Sequence, residues 1–151
     1  MTQTLYTHVD IQIPRPADEV WEVVTNYATD TSWRKGITEM TPDRDGPPQV
    51  GTKVHEVLHL GGKDYITDTA VTEVGPGMSY RFAGEGTSGV VRGGRSVVSS
   101  APDSAVFTYD VEFEPHAIPK LARPILRWWL QHSLRRDLRR LRSFVMQAHS
   151  A

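Results

Sequence analysis

One apolar stripe near the C-terminus constrains the fold more than any other feature. Leu130, Leu134, Leu138, Leu141 and Val145 recur at steps of four, four, three and four, the period of one face of an α-helix. The segment from Pro119 to about Ala148 carries this stripe. A second patch, Leu121, Ile125, Trp128 and Trp129, sits mostly on the other side of its first half. Pro119 and Pro124 lie where a helix start tolerates proline, and the segment beyond Pro124 contains neither proline nor glycine. Such a helix spans roughly 40 Å at 1.5 Å per residue. It is buried only if a curved sheet wraps it.

The rest of the chain reads mostly as antiparallel strand. Leu5, Thr7, Val9, Ile11 and Ile13 alternate with Tyr6, His8, Asp10 and Gln12, the pattern of a half-buried strand. Pro16-Ala17-Asp18-Glu19 opens a short helix with proline and acids in its first turn. Val20, Trp21, Val23 and Val24 supply its apolar side, and a second short helix or turn over 27–34 carries Trp33. Residues 41–49 read as a loop. Strands over 52–60 and 63–74 are joined by Gly61-Gly62, a strong hairpin signal. That turn sets Leu58 opposite Tyr65, Glu56 opposite Thr67 and Val54 opposite Thr69, with His59 facing Asp64 and His55 facing Asp68 on the other side. The first set is the more apolar and continues to Val71, so it is assigned inward. After a turn at 75–78, Tyr80 and Phe82 continue the inward face. A glycine-rich loop is expected over 83–89, then strands over 90–101 and from Ala105 through Glu114. In the last of these Phe107, Tyr109 and Val111 lie on one side. The order expected is one strand, two short helices, six strands, five of them placed by these patterns, and the long helix, with no internal repeat.

At 151 residues, with 38% hydrophobic and 23% charged side chains, the chain suits one domain with one core, 1–151. A net charge of −1 gives the whole molecule no electrostatic reason to seek nucleic acid. Cysteine is absent, which excludes disulfide and thiolate chemistry. The first residues lack a basic region followed by an apolar run, so no signal peptide is expected and a cytoplasmic location is the default.

Three motifs suggest other chemistry. His55-Glu56-Val57-Leu58-His59 spells the zinc-protease signature, which requires a helix so that both histidines reach one metal. Glycines bound this segment on both sides. On a strand the histidines stand about 13 Å apart at ~3.3 Å per residue, so no metal site is expected. Gly84-Glu85-Gly86-Thr87-Ser88-Gly89 fits the dinucleotide fingerprint, but no helix comes after it to hold a pyrophosphate. Arg123, Arg127, Arg135, Arg136, Arg139, Arg140 and Arg142 crowd the last helix beside Trp128 and Trp129. The plain reading is a solvated face whose late arginines complement the helix dipole. The alternative is a membrane surface or an acidic protein partner bound through Trp128–Arg142.

Taken together, Ile11 through Val24, with its Val20-Trp21 pair, Trp33, the Val50-Gly51-Thr52 strand entry and the Val71-x-x-Val74-Gly75-Pro76-Gly77 turn resemble the polyketide cyclase/dehydrase group of the START-like (SRPBCC) superfamily. The match runs to the terminal helix. One departure is Asn26-Tyr27, where an acid commonly stands after the first helix. The resemblance implies an α+β helix-grip fold: a seven-stranded antiparallel sheet curled around the C-terminal helix, with two short helices closing one end. It also implies a cavity between sheet and helix that holds lipids, polyketides or other hydrophobic molecules.

The wall expected from the strand register comprises Val54, Glu56, Leu58, Tyr65, Thr67, Thr69, Val71, Tyr80, Phe82, Phe107, Tyr109 and Val111. Trp33, Trp128, Leu121 and Ile125 are candidates to close its ends. Glu56 is the one inward carboxylate in this set, and such a group must find a partner or keep its proton. It either stands in water-poor surroundings, as a general acid or base, or meets an arginine from the strand at 90–101, Arg92 or Arg95 according to the length of the turn at Pro102. Glu56 with Arg95 and Tyr109 would hold and enolise a polyketide's carbonyls for cofactor-free cyclisation and dehydration. Three functions are compatible with these residues: a carrier or sensor of a hydrophobic small molecule, a cyclase-type enzyme in the same cavity, and a membrane- or partner-binding protein. Neither the ligand nor the oligomeric state is written in the residues.

Overall fold

A computed structural model describes residues 4–148. Strand β1 (Leu5–Ile13) leads into helix α1 (Ala17–Thr25), a single 3-10 turn (Tyr27–Thr29) and the one-turn helix α2 (Asp30–Trp33). Six strands come next: β2 (Ile37–Pro42), β3 (Lys53–Leu60), β4 (Lys63–Val74), β5 (Met78–Gly86), β6 (Gly89–Ala101) and β7 (Ser104–Pro115). A 3-10 turn (Lys120–Ala122) then opens helix α3 (Arg123–Ala148). The strands form one antiparallel sheet in the order β1-β7-β6-β5-β4-β3-β2. The sheet curls around α3, which is the helix-grip architecture.

The alternation along β1 is realised, with Leu5, Thr7, Val9 and Ile13 buried. The Gly61-Gly62 hairpin holds the expected register, Leu58 against Tyr65, Glu56 against Thr67 and Val54 against Thr69. Both turn glycines take positive φ, 59° and 77°, the conformation that a two-residue hairpin favours. His55 and His59 therefore project outward from a strand, paired with Asp68 at 2.6 Å and Asp64 at 2.8 Å. The zinc-protease spelling is a coincidence of strand composition.

Two stretches differ from expectation. The strand β2 is not marked by the residue pattern, because only Ile37 within it is buried. It is an edge strand ending at Pro42, and an edge tolerates both proline and weak alternation. The glycine-rich stretch 83–89 is the end of β5 and the start of β6, with only Thr87 and Ser88 between them. Gly84 pairs with Thr69 and Gly86 with Thr67, so both glycines share the inner face. An added Cβ would stand 2.0 Å from the Asp68 carbonyl oxygen at Gly84, and 2.0 Å from that of Ile66 at Gly86. Glycine lets adjacent strands approach this closely as the sheet bends.

The main core lies between the sheet and the helices. Leu134, Leu138, Leu141 and Val145 of α3 face Val9, Ile13, Val97, Ala105 and Phe107, with Val20, Val23 and Val24 of α1 and Trp33 closing the end. A smaller cluster of Tyr27, Val54, Val71 and Tyr80 lies under β3–β5. The first half of α3 also covers the free edge of β1. The Gln131 side-chain amide donates to the His8 carbonyl at 3.0 Å and accepts the His8 N–H at 3.3 Å. An exposed strand edge is thereby partly satisfied.

Gly84→Ala is expected to lower stability by roughly 1–3 kcal/mol, the usual cost of forcing atoms into a filled space, and a urea midpoint shift would read it. An unchanged midpoint would show that the strands do not need this close approach.

Candidate functional site

Between the inner face of the sheet and the first half of α3 lies a cavity of about 230 Å³. The main core fills the space around Val97, Phe107 and Leu138, and the hollow lies nearer the hairpin tips, bordered on the sheet side by Gly89 and by the side chains of Thr67, Thr69, Phe82, Val91 and Val111. Its walls are apolar and aromatic, including Leu58, Phe82, Val91, Phe113, Trp129 and Leu130, with Thr7, Thr67 and Thr69 as hydroxyl groups.

One end of the cavity is ionic. Arg95 on β6 is 1% exposed and donates from both terminal nitrogens to Asp30, which is 0% exposed, at 3.1 and 2.5 Å. The same guanidinium donates to the Val24 carbonyl at 3.0 Å, in the last turn of α1 where carbonyls lack helical partners. It approaches the Tyr109 hydroxyl at 3.4 Å and lies 4.6 Å from that ring's centre. Asp30 also accepts from Arg34 at 3.3 Å, and Arg34 donates to Glu56 at 2.6 Å. Positive and negative groups thus alternate from β6 to β3 as Arg95, Asp30, Arg34 and Glu56. Burial works against the charge on Arg34, but Glu56 first, then Tyr109 and Asp30, outweighs it and raises its pKa. Arg95 is likewise held firmly protonated, burial being outweighed chiefly by Asp30. Burial pushes the Tyr80 phenol well above its ordinary value and raises that of Tyr27, so both hydroxyls stay neutral hydrogen-bonding groups.

Of the residues expected in the wall, Val54, Glu56, Leu58, Thr67, Thr69, Tyr80, Phe82, Arg95, Tyr109 and Val111 line the cavity. Phe107 and Trp33 lie outside it, buried edge to face in the core at 6.3 Å between ring centres. Val71 belongs to the smaller cluster. Tyr65 is half-buried beyond the wall, beside Lys63. Leu121, Ile125 and Trp128 close nothing, since they point outward from the turn before α3 and from its first half. Glu56 pairs with Arg34 rather than with Arg95, while Arg92 points outward to Glu112 at 2.7 Å.

Residue pattern alone missed Arg34, Asp30, Trp129 and Asp137. Asp30 and Arg34 stand at the i,i+4 spacing of a helical ion pair, a signal that was available. Trp129 also had one, because it shares a face with Ser133 beside the Leu130–Leu134 stripe. That the pair would reach Glu56 across the sheet has no local signature. Asp137 accepts the Lys35 N–H at 3.1 Å and contacts Arg140 at 3.4 Å. It fastens α3 to the segment after α2.

Two outcomes test this end of the cavity. Arg95→Met should cost about 3–5 kcal/mol because it strands a buried carboxylate. Adding Asp30→Leu should recover part of that loss, so the double variant falls short of the summed single effects in chemical denaturation. Burial raises the Asp137 pKa, so the folded chain holds that proton more tightly than the unfolded one. Its contribution is then most favourable below the unfolded value, about pH 3.9, and is lost as pH rises through the raised one. Asp137→Asn should therefore gain melting temperature over the wild type on going from acid to neutral pH, with the two curves converging in acid.

The family model described as polyketide cyclase/dehydrase and lipid transport matches residues 5–145. No curated protein sequence matches significantly. Among solved structures, the Zhui aromatase/cyclase from a Streptomyces species superposes with a TM-score of 0.81 at 13% identity, covering 99% of this chain and 98% of that one. A START superfamily protein from Mycobacterium smegmatis gives 0.79 at 15% identity, covering 95% and 98%. Norcoclaurine synthase from Thalictrum flavum, in complex with dopamine and hydroxybenzaldehyde, gives 0.69 at 18% identity, covering 99% and 90%. At such identities the structures speak for the fold, and the family match speaks for descent. The chain belongs to the polyketide cyclase/dehydrase and lipid transport family.

Proposed function

We propose that the protein carries or senses a small hydrophobic molecule with ring character, polyketide-like in its chemistry, held between the sheet and α3. The observation that carries this reading is the hollow itself, walled by apolar and aromatic groups while its carboxylates are already engaged. Its volume of about 230 Å³ lies just below the usual range for ligand pockets, about 300–1,000 Å³. That size suits a compact molecule better than a two-chain lipid. Tyr80, Tyr109 and the threonines offer hydrogen bonds to carbonyl or hydroxyl oxygens. The solved relative that holds dopamine and hydroxybenzaldehyde supports an aromatic ligand of this size.

A cyclase-type reaction is the second reading, favoured by Glu56, Arg95 and Tyr109 meeting in one cavity. For it Glu56 would take a proton beside a substrate carbonyl while the phenol and guanidinium support the enolate oxygen. Against it, Glu56 is bound to Arg34 at 2.6 Å, so one of its oxygens is already taken up by a guanidinium.

Native mass spectrometry after gentle purification should find a co-purifying molecule, or else uptake of an added naphthol or short aromatic polyketide. Thr69→Trp should block uptake without lowering the melting temperature markedly. Absence of uptake by the wild type would overturn the carrier reading. Conversion of a linear polyketone to a cyclised, dehydrated product, lost in Glu56→Gln while uptake persists, would establish the enzyme instead.

A further inference from the structure

We propose that the outer face of α3, with the turn before it, docks on an anionic phospholipid bilayer. Three side chains at its start are unusually bare for their size. Leu121 is 91% exposed, Ile125 70% and Trp128 65%. Their spacing of four and three residues makes one short stripe. It is directed away from the inward Leu130 and Leu134. Further along the same outer face come Arg135, Arg136, Arg139 and Arg142, all exposed. Lys120, Arg123 and Arg127 are interspersed with the apolar anchors in sequence, and the later arginines extend the basic charge beyond them, with His132 stacked on Trp128 at 5.1 Å.

The distribution of charge selects the occupant. Residues 119–148 hold eight of the chain's 17 lysines and arginines but only one of its 18 acids. That acid, Asp137, faces inward to the Lys35 N–H. The rest of the molecule is accordingly acidic and would be repelled by an anionic surface, which leaves this face as the one that can approach. A shallow hollow beside Trp128, lined by Tyr6, His8, Arg127, Gln131 and Arg135, does not include Leu121 or Ile125, so a peptide seated there would leave both bare, whereas a bilayer deforms around leucine, isoleucine and tryptophan while its phosphates meet the arginines. Among the described residues no helix is long and apolar enough to cross a membrane, so the contact is interfacial. Trp129 and Leu130, on the other side of the same turn, line the cavity. Docking would thus bring the helical wall of the cavity to the lipid surface. This inference does not rest on the identity of the cavity's ligand.

The test is co-sedimentation of the full chain with vesicles of phosphatidylcholine alone and of phosphatidylcholine mixed with phosphatidylglycerol. Binding is expected only to the mixed vesicles, weakening as salt is added. Ile125→Ser with Trp128→Ser should lower it at least about tenfold, and each of Arg135→Glu and Arg139→Glu by roughly fivefold or more. All four positions are solvent-exposed, so circular dichroism and cavity uptake of a naphthol should match the wild type. Failure to bind mixed vesicles at low salt would overturn the proposal, as would equal binding by the variants. Retention on a soluble polyanion without vesicle binding would overturn it too. A wild type that binds vesicles but takes up no naphthol would leave this inference standing and remove the carrier reading.

Discussion

The guanidinium of Arg95 holds the closed end of this molecule together. It rises from β6 into the interior, almost wholly buried, where an unpaired charge would be prohibitively costly. Its partners come from elsewhere in the chain: Asp30 of α2, the last turn of α1 through Val24, and Tyr109 of β7. Both short helices are thereby seated on the sheet at a fixed angle. Arg34 extends the connection to Glu56 on β3, so the ionic chain crosses the concave side of the sheet. Asp30 and Glu56 each have a positive partner within reach.

This arrangement shapes what the cavity can recognise. A hollow containing an unpaired carboxylate or guanidinium would choose its ligand by charge. Here the opposite charges neutralise each other at one end, and most of the remaining wall is hydrocarbon and aromatic ring. Selection then falls to shape and to neutral hydroxyl groups, two of them kept protonated by burial at Tyr27 and Tyr80. The same pairing explains why an acid inside a greasy pocket need not mean catalysis. Glu56 has a structural partner in Arg34 at 2.6 Å, and that contact alone accounts for its place in the wall.

Much of the architecture was legible because it is written in local periods. The α3 stripe and the Gly61-Gly62 turn each depend on neighbours within a few residues, and the turn fixes the β3–β4 pairing down to individual residues. What local pattern could not give depends on distant contacts or on position in the sheet. Strand β2 lacks alternation because it is an edge. Gly84 and Gly86 look like loop residues, yet they are strand residues pressed against the backbone of β4. The partner of Glu56 arrives from twenty-two positions earlier, carried by a helix of one turn whose placement is set by Arg95. Trp128 and Trp129 are adjacent in sequence and face opposite environments, which a window counting aromatic residues cannot separate.

The inward glycines have one further consequence. At Gly84 and Gly86 an added Cβ would meet the backbone of the next strand, so on the sheet the pocket can be reshaped only at the side chains between them, such as Thr67, Thr69 and Val91. The facing helix has no such restriction. Trp129 and Ser133 present ordinary side chains on a rigid rod, and each can be enlarged, trimmed or exchanged while the strands keep their course. Change in the pocket's contour among relatives of this chain should therefore be freest on the helical wall and barred at the inward glycines.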